Sequence, residues 1–377
     1  MKKLNYLIIL GSLFLLSKNT SAQQIIDSTR IFGVTIDDPY SNIPEIKTAL
    51  SSHCIKPTVR IVFDEFVAAT DYTDPITQIK TSGFIMGELL DSYYVDQYSV
   101  KQYANRATEY YNTLTNLVDI WEVGNEVNGD WLGNSDSVIA KIQGAYNIIK
   151  PTGKKTAITL YFNRNCYSNI QYEMFTWIKN KLPNSMKQGL DYVLVSYYED
   201  DCNEVILSQN EWQQVFDSLH IIFPNSRLGM GECGTTNTGK KAAYMNRYYR
   251  MNITTPGYIE GNFWWYYKQD CVPKTKALWD TLNNTLCDLI TNNNFQNSSY
   301  NAIKTYPNPA NDKITIVIQH GINEGILTIC NVNGQELIRQ QIKNVETYID
   351  LKDLTSGVYF LKLITNNTVE GRKIIKE

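Results

Sequence analysis

Two short runs each set a glutamate just beyond a β-type stretch. One is Trp121-Glu122-Val123-Gly124-Asn125-Glu126, and the other is Leu228-Gly229-Met230-Gly231-Glu232. A pair of carboxyl groups facing one pocket can break a glycosidic acetal. One donates a proton to the leaving oxygen and later activates water, while the other attacks the anomeric carbon. Retention of configuration asks for a separation of about 5–5.5 Å between the two. Close placement also drives their pKa values apart, because an anion raises its neighbour. An isolated Asn-Glu dipeptide carries little weight, and the two glutamates gain meaning only from the elements that hold them.

Those elements alternate. Between Ile31 and Leu286, eight β-type runs are each followed by a helical pattern, which is the count of a closed (β/α)8 TIM barrel in the α/β class. The strand candidates are Ile31–Ile36, Thr58–Phe63, Gly83–Gly87, Val118–Val123, Lys155–Tyr161, Tyr192–Tyr197, Arg227–Gly231 and Gly261–Tyr267. Helical patterns cover Ile43–Ser52, Asp74–Thr81, Val100–Asn116, Asp136–Ile149, Ile170–Lys181, Gln209–Ile222, Lys240–Met251 and Lys274–Leu286. Glu126 then follows the fourth strand and Glu232 the seventh, at the face where barrel active sites form.

With Asn-Glu after strand four and Gly-Glu after strand seven, the barrel resembles the clan A glycoside hydrolases, without pointing to one family inside the clan. The resemblance implies Glu126 as acid/base, Asn125 as its partner on the sugar 2-hydroxyl, and Glu232 as nucleophile. It also implies that Arg60, in Thr58-Val59-Arg60-Ile61-Val62-Phe63, holds the nucleophile ionised. Tyr197 or Tyr198 would hydrogen-bond the nucleophile. Trp264 or Trp265 would stack on sugar, and period two lets only one of them face the pocket. The expected activity is retaining hydrolysis of a β-linked polysaccharide or oligosaccharide, with no cofactor. The alternatives are a non-catalytic carbohydrate-binding surface protein and a transglycosylase using the same intermediate.

Other groups read as less specific. Asp64, Glu65, Glu88 and Asp91 read as solvated loop charges ahead of ligands for sugar hydroxyls, and the run Glu199-Asp200-Asp201 as a solvated loop ahead of a site for calcium or a cationic amino sugar. His53, His220 and His320 have no metal-ligand spacing, and no phosphate-binding glycine loop or Gly-x-Ser-x-Gly elbow occurs.

Beyond a polar bridge at 288–305 the helical patterns give way to short alternating strands, with a hairpin signal at Asn333-Gly334. They predict a small all-β sandwich-like domain over 306–377. Its residues Tyr306-Pro307-Asn308-Pro309-Ala310, Ile329-Cys330-Asn331-Val332-Asn333-Gly334-Gln335-Glu336-Leu337 and Leu354-Thr355-Ser356-Gly357-Val358-Tyr359-Phe360 closely resemble the sorting domain of type IX secretion. That resemblance implies the type IX machinery as a partner, and a product secreted or attached to the cell surface. At the other end, Lys2 and Lys3, the apolar run Leu4–Leu16 and Thr20-Ser21-Ala22 read as a signal peptide over 1–22, with the barrel domain over 23–287.

The 377 residues leave room for barrel and tail together. A formal net charge of -3 argues against a nucleic-acid surface. Outside the signal segment no stretch is long and apolar enough to span a membrane. Seven cysteines in an exported chain suggest disulfides. Placing them on adjacent loops and helix ends of a barrel predicts Cys166–Cys202, Cys233–Cys271 and Cys54–Cys287, leaving Cys330 free.

Overall fold

The computed structural model describes residues 30–201, 204–291, 303–318, 325–331, 335–342, 344, 346–364 and 369–377. The signal segment, most of the polar bridge, Cys202, His320 and the Asn333-Gly334 turn lie outside the described residues.

The strands are β1 (Ile31–Ile36), β2 (Thr58–Val62), β3 (Phe84–Glu88), β4 (Ile120–Gly124), β5 (Lys155–Tyr161), β6 (Tyr192–Ser196), β7 (Arg227–Glu232) and β8 (Tyr258–Trp264). They pair in parallel in chain order, and β8 closes on β1. Strands buried on both faces need apolar or packed residues at nearly every position, and β1 and β2 are buried throughout. Around them run α1 (Ile43–Ser51), α2 (Thr73–Ile79), α3 (Val100–Leu114), α4 (Ser135–Ile149), α5 (Met174–Lys181), α6 (Asn184–Gly189), α7 (Gln209–Ile222), α8 (Lys241–Tyr249), α9 (Tyr267–Cys271) and α10 (Ala277–Thr291). Ser99 with Gln102 and Ser208 with Glu211 form capping boxes that start α3 and α7. Among the described residues no helix is long and apolar enough to cross a membrane.

The barrel interior has an apolar floor of Ile31, Met86, Ile120, Ala157, Tyr192, Leu194, Ile259 and Phe263. Gly33 makes room for it, since a Cβ there would run into the Phe263 ring. The larger core lies between strands and helices.

Two departures from the sequence reading have a clear local cause. The eighth strand was expected at Gly261–Tyr267 but runs over Tyr258–Trp264. The aromatic run Phe263–Tyr267 has no period of its own, and its last residue opens α9. The helix expected over Ile170–Lys181 begins at Met174, because the Glu173 carboxylate accepts from the backbone N–H groups of Phe175 and Thr176.

The C-terminal region is antiparallel. Strands β9 (Ile303–Tyr306), β10 (Lys313–Ile318) and β13 (Glu346–Asp350) form one sheet. Strands β11 (Ile326–Cys330), β12 (Glu336–Gln341), β14 (Gly357–Ile364) and β15 (Val369–Lys376) form the other. Ile314 and Ile316 of the first sheet share a core with Leu327, Ile329, Leu361 and Leu363 of the second, as in a sandwich.

Cys54 and Cys287 are bridged, with Cα atoms 5.6 Å apart. Asn283 reinforces the join by accepting from the Cys54 backbone N–H at 3.2 Å. His53 stacks on Trp279 at 4.8 Å, so the end of α1 is tied to α10 where the barrel closes. Cys166 is disulfide-bonded, and its expected partner Cys202 lies outside the described residues. The expected Cys233–Cys271 pair does not form, and both are buried free thiols. Glu232 points into the barrel, so the pleat turns Cys233 into the wall, and Cys271 ends a helix rather than sitting on an open loop. Cys330 is free, as expected.

The Cys54–Cys287 bridge spans 233 residues of sequence. Replacing both cysteines by serine should cost about 2–5 kcal/mol through restored freedom of the unfolded chain. Thermal unfolding of the double variant measures it, and an unchanged melting temperature would contradict a stabilising role. Cys233 and Cys271 should resist alkylation until the barrel unfolds.

Candidate active site

Above the apolar floor the barrel turns polar. Arg60 of β2 is fully buried. Its Nε donates to Glu122 Oε2 at 2.7 Å and its Nη2 to Glu122 Oε1 at 3.1 Å. Its Nη1 donates to Glu232 Oε2 at 2.5 Å. Glu88, the last residue of β3, places Oε2 3.0 Å from Arg60 Nε without a hydrogen bond, because that N–H is directed at Glu122. Thr159 of β5 donates to Glu122. Burial pushes the carboxyls of Glu88 and Glu122 upward, and the Arg60 charge opposes it.

Glu232 ends β7 and is 5% exposed. Three donors converge on it. Besides Arg60, the Tyr198 hydroxyl donates to Oε1 at 2.6 Å and Asn125 Nδ2 to Oε2 at 3.2 Å. Burial and the Glu232 charge push the Tyr198 phenol well up, so it stays a donor. The ring of Trp265 lies 5.8 Å from the Arg60 guanidinium.

Glu126 sits two residues past β4 with φ 44°, in the left-handed region. Its Oε1 accepts from Ser196 Oγ at 2.5 Å and its Oε2 from Ser92 Oγ at 2.9 Å. Among the described residues no cation pairs with it. Burial, with the Glu232 charge second, pushes its carboxyl up to about 8, outweighing the two serine hydroxyls. Asn125 Oδ1 accepts from the Ser92 backbone N–H at 3.1 Å, which orients the Asn125 amide and leaves its nitrogen for Glu232.

The structure therefore brings Arg60, Asn125, Glu126, Tyr198, Glu232 and Trp265 together. Tyr197 is turned away, packing on Trp212 and donating to the Val205 carbonyl at 2.8 Å. Trp264 is buried in the wall, with its indole N–H on Asp270 at 2.9 Å. Arg60 has no exposed surface and is bound by carboxylates, so it holds Glu232 in place rather than meeting a ligand. Sequence reasoning missed Glu88, Glu122, Ser92, Ser196 and Thr159. For the two glutamates the inward partner that would have exposed them, Arg60, lies on another strand and is remote in sequence.

Two readings of acidic residues are corrected. Glu88 is not a solvated loop charge but a buried strand residue. Glu199 is 1% exposed and accepts from Arg247 Nε at 2.9 Å and the Tyr248 hydroxyl at 3.2 Å. It ties the loop after β6 to α8. Asp64 accepts from the Tyr72 hydroxyl, and Asp91 caps the turn at Tyr93, so both hold loops.

A family model described as the secretion system C-terminal sorting domain matches residues 304–377. The C-terminal region is a type IX sorting domain. It marks the chain for export, to be secreted or held at the cell surface. No curated protein sequence matches the chain. Among solved structures it is similar to Saccharomyces cerevisiae Gas2p in complex with laminaritriose and laminaritetraose, at 12% identity and TM-score 0.47, covering 68% of this chain and 64% of that one. It thus spans a little under two thirds of Gas2p. It is also similar to a Pseudoalteromonas aurantia GH18 chitinase, at 9% identity and TM-score 0.45, covering 68% and 99% of the two chains. A Cellulomonas fimi endo-β-1,4-mannanase double mutant aligns at 8% identity and TM-score 0.40, covering 93% and 94%. These likenesses concern the fold alone.

Replacing Arg60 by Met should destabilise the barrel by about 3–5 kcal/mol near neutral pH, because it strands buried carboxylates. Glu88 and Glu122 already titrate above the usual range in the folded protein. Folding with a raised carboxyl pKa is favoured at low pH and loses that support as pH rises through the folded value. The loss should therefore be smaller at pH 5 than at pH 8. Denaturant unfolding at both values checks it, and equal losses would mean the charges are not what hold this layer.

Proposed function

We propose that the barrel is a retaining glycoside hydrolase acting on β-linked glycans. The observation that carries this reading is the unequal treatment of two neighbouring carboxyls. Glu232 is held by a guanidinium, a phenol and an amide. Among the described residues Glu126 accepts from two hydroxyls, and it is pushed up to about 8. Glu232 thus has charged and polar donors around it, while Glu126 keeps its proton at neutral pH. Close placement is supported by Asn125, adjacent to Glu126 in sequence, donating directly to Glu232.

The chemistry follows in two displacements. A Glu232 oxygen attacks the anomeric carbon, the bond to the leaving oxygen breaks, and that oxygen takes the Glu126 proton. Glu126, now ionised, accepts a proton from water. The water oxygen attacks the same carbon and releases Glu232. Tyr198 and Asn125 hold the attacking oxygens in line, and Trp265 offers a ring beside them.

Glu232→Ala should abolish turnover, with partial rescue by azide acting as the nucleophile. Glu126→Ala should slow substrates with poor leaving groups far more than activated aryl glycosides, since only the former need the acid. The wild-type alkaline limb of kcat/KM should fall near pH 8, where Glu126 loses its proton. An inverted product anomer by NMR, or near-native rates in both variants on a natural glycan, would sink the assignment.

Export is a separate matter. Deleting 304–377 should leave a folded barrel retained in the periplasm of the native host. Cell fractionation decides this, and surface delivery of the truncated chain would contradict it.

A further inference from the structure

Trp131 lies outside the groups assigned so far. It sits in the 3-10 turn Asp130–Leu132, on the loop that follows Glu126. Its indole Nε1 donates to Ser92 Oγ at 3.1 Å, and Ser92 Oγ donates to Glu126 Oε2 at 2.9 Å. The ring meets Tyr161, at the end of β5, edge-on at 5.1 Å. It is backed closely by Gly129, where a Cβ would fall 2.6 Å from Trp131 Cζ2. The side chain is thus fixed in orientation, yet 37% exposed. The described exposed aromatic side chains of the barrel are Tyr40, Phe66, Tyr93 and Trp131, on the loops after β1 to β4. Of these, Trp131 alone has a hydrogen bond to a partner of Glu126.

An indole held in place and partly open to solvent is pre-organised for a flat apolar partner. The C–H face of a pyranose is such a partner, with weakly positive hydrogens set against an electron-rich ring. The side of the cleft is fixed by chemistry. Glu126 must reach the glycosidic oxygen from the leaving-group side, and Trp131 is joined to Glu126. Trp265, by contrast, lies with Arg60 at the nucleophile.

We infer that Trp131 seats the first neutral sugar on the leaving-group side of the scissile bond, while its N–H commits the Ser92 proton to Glu126. This rests on the proposed hydrolase reading for the words "leaving-group side". The seat itself is a claim about binding. Trp131 also acts as a positioning residue toward Glu126 through Ser92.

The test compares wild type with Trp131→Ala, which removes ring and N–H, and Trp131→Phe, which keeps a ring and removes the N–H. The probes are β-linked gluco-, manno-, galacto- and xylo-oligosaccharides of two to five sugars, and the matching dinitrophenyl glycosides. With Trp131→Ala, kcat/KM on the cleaved oligosaccharide should fall about tenfold further than on the aryl glycoside, the scale of one lost hot-spot contact. Trp131→Phe should stay within about threefold of wild type on the oligosaccharide, as expected where the ring supplies most of the contact. Its alkaline limb should move to higher pH, because Glu126 loses part of a donor that favours its ionised form.

Equal losses on both substrates, or a Phe variant as poor as the Ala variant, would overturn the seat. An alkaline limb unmoved in Trp131→Phe would overturn the link to Glu126. If wild type cleaves no probe, the hydrolase reading fails, and the seat is judged by calorimetric binding of the same oligosaccharides. A tenfold weaker Trp131→Ala would then support it. Equal binding, or none by any probe, would overturn it.

Discussion

The buried Arg60 guanidinium is the constraint on which the rest of the barrel depends. A cation with no exposed surface is stable only when paired, because taking it out of water costs several kcal/mol. Glu122 supplies a two-point partner and Glu232 a third contact. Once these three are fixed, the strands carrying them are fixed in register as well. Arg60 lies level with Met86 of β3, and Glu88 level with Glu122 of β4. The apolar floor below then has a second purpose besides packing. It closes the far end of the barrel, so that water does not reach the ion cluster from beneath.

The same cluster distinguishes the two carboxyls at the mouth of the barrel. Glu232 shares Arg60 with Glu122, whereas the described donors to the Glu126 carboxyl are the two serine hydroxyls. Raising Glu126 from 4.5 to about 8 corresponds to roughly 5 kcal/mol in favour of its protonated form. Serine donors oppose that shift but carry no charge, and burial exceeds them. In stability terms this protonated group supports folding fully below its unfolded pKa, and the support is lost as pH rises through about 8.

Much of this was legible in the sequence. The strand runs are buried on both faces and bounded by Pro, Gly and Asn, so seven of them read close to their true bounds. The eighth did not, because its aromatic residues continue past the strand into α9 and carry no period to mark the join. Glu126 and Glu232 were visible as strand-end residues. Glu88 and Glu122 were not, because a charged residue near a strand end reads as solvated unless its inward partner is known, and Arg60 is remote in sequence from both. Ser92 and Ser196 gave no signal, since serine is common in loops and their role exists only once Glu126 lies between them.

The three paired motifs at the mouth show what the backbone adds. At Tyr197-Tyr198 and Trp264-Trp265 the pleat persists past the strand. One residue of each pair faces the pocket, and the other packs on helices. At Asn125-Glu126 both residues face inward, which an extended backbone would forbid. The left-handed φ of 44° at Glu126 is what turns its side chain back toward Ser196, while Asn125 reaches Glu232. A non-glycine residue in that region costs of order 1–3 kcal/mol. The surrounding contacts hold it there. The Glu126 carbonyl accepts from the Gly129 N–H at 2.8 Å, the Val127 N–H donates to Thr159 O at 3.1 Å, and both carboxyl oxygens are bound. Glycine would take the same backbone without strain, but it would remove the carboxyl. The strained turn persists because it brings two consecutive side chains into one pocket.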